Sequence, residues 1–166
     1  METCTISVTL WGDGLIKGDW LNWYNDIGII FQELGYKRTH IEINSKSYAN
    51  DKVVTVARKE KAILHLLQDG EEPISMSCLS LNKDYRVAAF DYNVMAARQR
   101  EYISLILNQS DVSKINIEEI ILRLKQYIEF DNGEVYQMDR QEVPLFYAAK
   151  LNPIECFESL VVLKKF

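Results

Sequence analysis

Apolar and polar residues alternate over residues 6–10 (Ile-Ser-Val-Thr-Leu), which predicts a strand with one buried face. A glycine-rich stretch containing Gly12, Gly14 and Gly18 follows, and Asp19 then stands as the N-cap of a helix. Behind it, Trp20, Tyr24, Ile27, Phe31 and Leu34 recur at spacings of four, three, four and three. That is one broad apolar stripe, which Gly35 ends. Residues 39–43 alternate again and predict a second strand, and residues 44–51 are polar and loop-like. A second helix is expected over 53–68, with Val56, Ile63, Leu66 and Leu67 on its apolar side and Gly70 closing it. After Pro73, residues 74–81 alternate, Asn82-Lys-Asp84 makes a turn, and residues 85–90 form the returning strand of a hairpin. Residues 91–100 fit either a helical turn or extended chain, and residues 101–107 form a further strand.

The third helix carries the clearest start signal. Asn116 is its N-cap and Glu119 stands at the third helical position, a capping box. Ile117, Ile120, Ile121, Leu124 and Ile128 mark its buried stripe, and Asp131-Asn-Gly133 breaks it. Residues 134–138 form a short strand. Asn152, Pro153 and Glu155 open a last short helix, which residues 160–163 either extend or follow as an edge strand. Grouped strands with interspersed helices predict an α+β fold: a single, mostly antiparallel sheet with helices packed on one face. No linker or low-complexity segment divides the chain, so residues 1–166 are expected to form one domain.

Composition narrows the classes of partner. Lys and Arg total 19 against 24 Asp and Glu, a net charge of -5, which argues against nucleic acid. No apolar stretch approaches the ~20 residues of a membrane helix, and no basic-then-apolar leader opens the chain. Three cysteines, Cys4, Cys78 and Cys156, are too few and too far apart for a disulfide framework or a zinc site. The setting implied is reducing, hence cytoplasmic, with no cofactor and no metal expected.

Three stretches are candidates for function. The glycines between Gly12 and Asp19 follow a strand and precede a helix, as in a dinucleotide loop, and Glu42 would be the ribose acid. Yet Gly18 is one residue late and Asp13 brings negative charge into the loop. The bland reading is a plain strand-to-helix connection. Trp23 falls off the centre of its helix's stripe and reads either as a half-exposed anchor or as the edge of the core. Residues 129–142 hold Glu129, Asp131, Glu134, Asp139 and Glu142, with Tyr136 among them. They read as an acidic, aromatic-studded face for a basic protein partner, or as an ordinary solvated face. The partner-binding candidates are thus Asp131, Glu134, Tyr136, Asp139, Glu142 and Trp23. His40 and His65 have no local partner that would make a catalytic set.

The opening Ile6-Ser-Val-Thr-Leu-Trp11, the aromatic helix from Trp20 and the acidic Asp131-Asn-Gly-Glu-Val-Tyr136 carry a whole-chain resemblance. Together they resemble the immunity proteins of bacterial polymorphic-toxin systems. The resemblance implies a small acidic cytoplasmic α+β domain. Its function would be non-enzymatic: it binds a cognate toxin protein and blocks that toxin's active site. The alternative is a small enzyme or nucleotide-binding domain that uses the loop from Gly12 to Asp19.

Overall fold

The computed structural model describes residues 2–13, 19–49 and 52–166. Among these residues eight strands form one sheet: β1 Cys4–Asp13, β2 His40–Asn44, β3 Lys52–Thr55, β4 Ser75–Leu81, β5 Tyr92–Arg98, β6 Tyr102–Asn108, β7 Glu129–Asp139 and β8 Val161–Lys165. Their order is β3-β2-β4-β5-β6-β1-β7-β8, and every neighbouring pair is antiparallel. Among the described residues four α-helices accompany them: α1 Trp20–Glu33, α2 Val56–Gln68, α3 Ile117–Leu124 and α4 Pro144–Ala148. The α+β fold follows directly from this layout.

The predicted start and stop of α1 and the predicted start of α3 are present in atomic detail. The Asp19 carboxylate accepts the Asn22 N–H at 3.1 Å, and Gly35 leaves α1 with φ +85. Asn116 Oδ1 accepts the N–H groups of Glu118 and Glu119. Each cap satisfies donors that a helix N-terminus otherwise leaves unpaired.

One face of the sheet carries Ile6, Val8 and Leu10 of β1, Ile41 and Ile43 of β2, and Leu105 and Leu107 of β6. The stripes of α1, α2 and α3 close over this face, with Ile27, Ile30, Phe31, Ile63, Ile120 and Leu124 in one cluster with it. The period of two in the strands and 3.6 in the helices is what brings these sets together.

The opposite face is covered by the chain after β7. Trp11 and Tyr102 pack on Ala148 of α4, and Tyr136 and Met138 pack on Phe157. The indole N–H of Trp11 donates to the Ala148 carbonyl at 2.7 Å. Alternation along β1 therefore buries polar residues too. Thr9, Ser104 and Tyr136 lie on this second face and bond to one another, with Thr9 Oγ1 2.8 Å from Ser104 Oγ and 3.1 Å from Tyr136 Oη.

Four expectations change. Residues 85–90 are turns, not a strand, because Asp91 Oδ2 takes the N–H groups of Arg86 and Val87 at 2.7 and 2.8 Å. The returning strand is β5, from the stretch that fitted two readings. Asp131-Asn-Gly133 does not break a helix: α3 ends at Leu124, a 3-10 turn spans Lys125–Tyr127, and these residues lie inside β7. Gly133 is needed there for close packing, since a Cβ would sit 2.3 Å from the Phe166 ring. The loop expected over 44–51 is followed at once by β3, which takes the first residues assigned to the second helix; positions 50 and 51 lie outside the described residues. Where the last short helix was expected, Ile154–Cys156 make a single 3-10 turn, and β8 follows as an edge strand.

Candidate binding cleft

The predicted site residues are placed in different settings. Trp23 is 0% exposed in the core, stacked edge-on with Trp20, so it is not the half-exposed anchor expected. Its position off the stripe's centre still faces protein, because α1 is covered by the sheet and by neighbouring helices. Tyr136 is also 0% exposed, and burial pushes its hydroxyl up to about 12. That hydroxyl donates to the Pro144 carbonyl at 3.1 Å, so it anchors the start of α4.

The acidic residues are largely occupied. Glu134 accepts from the Tyr147 hydroxyl at 2.6 Å and lies 3.8 Å from Lys165 Nζ. Asp139 accepts the Gln141 N–H at 2.8 Å and caps the 3-10 turn Arg140–Glu142. Glu142 accepts the Glu158 N–H at 2.7 Å, the Ser159 N–H at 3.1 Å and the Ser159 hydroxyl. Asp131 is exposed on β7 beside Asn132. Three of these carboxylates thus fasten the segment that covers the second face.

The glycine stretch also reads differently. A Cβ on Gly12 would lie 1.9 Å from the Glu129 carbonyl oxygen, and the Gly12 N–H already donates to the Glu101 carbonyl. Gly12 is a glycine for close strand packing, and its N–H is spent within the fold. Gly14 and Gly18 lie outside the described residues. Glu42 is not a ribose acid for that stretch. β4, β5 and β6 separate β2 from β1, which puts the two strands about 19 Å apart at the usual sheet spacing.

What the second face does offer is a cleft that sequence reasoning missed. Beyond β5 the covering segment stops short, and a hollow of about 370 Å³ opens over β4 and β5. Its floor is Leu79, Tyr92 and Met95, all buried. One wall is the 82–91 loop, through Ala88, Ala89 and Phe90; the other is Val143, Pro144, Leu145 and Phe146 at the start of α4. Val53 and Glu42 close the side toward β3 and β2. The rim is strongly apolar: Phe146 is 52% exposed, Val53 42% and Phe90 36%.

Both walls are fastened. Arg140, buried at the head of α4, donates to the Tyr92 carbonyl at 2.8 Å and to Asn108 Oδ1 at 2.5 Å, with its guanidinium over the Tyr92 ring. Val143 then takes φ 55, a left-handed conformation that is strained for a β-branched residue. Pro144 follows at the first helical position. The Asp91 carboxylate is held below its ordinary range by the Val87 and Arg86 N–H groups, and this pins the other wall. Burial raises the Tyr92 hydroxyl well above the usual phenol range, and among the described residues that hydroxyl has no hydrogen-bond partner. A buried unpaired hydroxyl is a cost in stability, so the floor of the cleft is not optimised for packing alone.

A second, more polar hollow of about 270 Å³ adjoins it, lined by Asn44, Ile74, Ser75, Ser77 and Gln99. Glu42 and Leu145 line both. The only signals for this region in the sequence were Pro144, as a helix opener, and the excess of apolar residues over 85–90. Both belong to segments whose role depends on distant neighbours.

Among the described residues no three His, Cys, Asp or Glu side chains gather as a metal site, and no helix is long and apolar enough to cross a membrane. Comparison of the chain with protein-family models, curated proteins and solved structures finds no match.

Proposed function

We propose that this chain is a non-enzymatic binding protein whose contact surface is the apolar cleft and its rim, between the 82–91 loop and α4. Following the resemblance to immunity proteins, its partner is a bacterial toxin that it neutralises in the cytoplasm by covering the toxin's active site. The observation that carries the binding reading is the open apolar cleft itself. One wall is fixed by buried hydrogen bonds and one strained residue and the other by the Asp91 carboxylate at the surface, while the rim leaves Phe146, Val53 and Phe90 in water. Exposed aromatic side chains around a preformed hollow are the usual anatomy of a binding hot spot. Among the described residues the lining contains one carboxylate and no histidine, cysteine or serine, which suits recognition better than nucleophilic chemistry.

The test uses the whole chain with the toxin encoded beside its own gene. Ala89→Trp fills the cleft from an exposed wall position, and Phe146→Glu charges the rim. Each should stay folded and weaken toxin binding at least about tenfold, a loss of about 1.4 kcal/mol. Rescue of growth should fail in parallel. Folded variants that still neutralise the toxin at full strength contradict the cleft as the contact surface. A neighbouring protein without toxicity contradicts the toxin.

A further inference from the structure

Among the described residues the sheet has two edges, β3 and β8, and they are not alike. An edge strand presents unpaired N–H and C=O groups that another chain can join, and proteins blunt such edges with bulges and lysines. β8 carries both: its register on β7 shifts between Val135 and Tyr136, and it ends in exposed Lys164 and Lys165. β3 runs against β2 without a shift, pairing Thr55 with His40 and Lys52 with Ile43, and its one lysine stands at the first position. The Val56 N–H donates to the Thr39 carbonyl at 2.9 Å, which sets the alternation of this ladder. Val54 therefore bonds β2, while Val53 and Thr55 turn their backbone outward. Thr55 is the N-cap of α2 and gives its carbonyl to that helix. The N–H and C=O of Val53 and the N–H of Thr55 stay open among the described residues. Val53 is also a rim residue of the apolar cleft, 42% exposed. The open edge and the cleft are thus continuous, with hydrogen-bonding groups at the border and apolar side chains inside it.

We infer that the partner protein adds an extended segment to β3 as a further strand of the sheet; this rests on the binding reading above. The three open groups fix the register of that segment, and an apolar side chain opposite Val53 covers it and joins the rim. A pairing this short supplies register and orientation, while the cleft supplies desolvation. A second copy of this chain fits the edge less well. Antiparallel pairing of β3 with itself continues the sheet and sets both α2 helices on the same side of it. Arg58, Lys59 and Lys61 are exposed on α2 and belong to no ion pair among the described residues. Glu60, which lies between them in sequence, is engaged by Arg38 at 3.4 Å. Two such helix faces repel each other, which favours a foreign strand.

Amide hydrogen exchange of the natural protein, alone and with the toxin encoded beside its gene, reads the open groups directly. Alone, Val53 and Thr55 should exchange at least about tenfold faster than Val54. With the toxin they should slow at least about a hundredfold. Unchanged rates at Val53 and Thr55 overturn the inference. Val53→Pro removes the outward N–H but no bond to β2, and an edge strand tolerates proline at such a position. Val53→Ala trims the side chain and keeps the N–H. The proline variant should bind the toxin about tenfold more weakly than the alanine variant, a difference of about 1.4 kcal/mol. Equal affinities of the two folded variants overturn the inference; if the proline variant does not fold, the exchange rates decide. Slowing at Val53 and Thr55 that grows with protein concentration in the absence of toxin identifies a second copy and overturns it as well. The outcomes separate the two levels. Weaker toxin binding in Ala89→Trp, with Val53 and Thr55 unprotected in the natural complex, keeps the cleft and removes the strand. Protection at Val53 and Thr55 with unaltered binding in Ala89→Trp keeps the strand and removes the cleft.

Discussion

Gly12 illustrates how one atom decides a reading. In the sequence it belongs to a run of glycines that could cradle a phosphate. In the structure its missing Cβ makes room for the Glu129 carbonyl, where β1 meets β7 at a shift in register. Gly12→Ala should therefore cost about 2 kcal/mol or more in urea unfolding, because backbone cannot give way as a side chain can. An unchanged midpoint would contradict this packing role. Trp23 and Tyr136 teach the same lesson from the other side. Trp23 stood out by its place off the stripe and Tyr136 by its acidic neighbours, but exposure depends on what lies across the sheet, and that is a long-range fact. The Thr9–Tyr136 hydrogen bond joins residues 127 positions apart, which no local pattern encodes.

At the scale of elements, legibility follows locality. α1 and α3 were readable because their caps and stripes are written in consecutive residues, and β1, β2 and β4 because alternation is local. α4 and the 82–91 loop were not, because neither has a stripe or a period. Each holds its shape through side chains that reach to distant backbone. Glu142 is such a fastener, joining the lead-in to α4 with Ser159, just before β8. Burial opposes its charge, but the Ser159 hydroxyl and the N–H groups of Ser159 and Glu158 outweigh that and hold its carboxyl below the ordinary 4.5. A depressed pKa in the folded state adds stability above pH 4.5 that is lost as pH falls through the lower folded value. Glu142→Gln should thus melt below the natural protein at pH 7, and the gap should close on acidification below about pH 4. A gap that stays constant with pH would remove the charge from the account.

For the whole molecule, the topology places the two faces of the sheet in different roles. The helix face is closed by α1, α2 and α3 around one large apolar cluster. The second face is closed only in part, and its uncovered portion lies over β2, β4 and β5, next to the short edge strand β3. The acidic residues that stood out in the sequence mostly staple the covering segment, and the surface they leave free is the cleft beside it. Hydrogen exchange of the protein, free and bound to its toxin, tests this division most directly. Amides of the 82–91 loop, of β2 and of residues 143–151 should become protected in the complex, with the outer face of α2 unchanged. Protection confined to β7 around Asp131, or to α2, with the cleft walls exchanging as in the free protein, would contradict it.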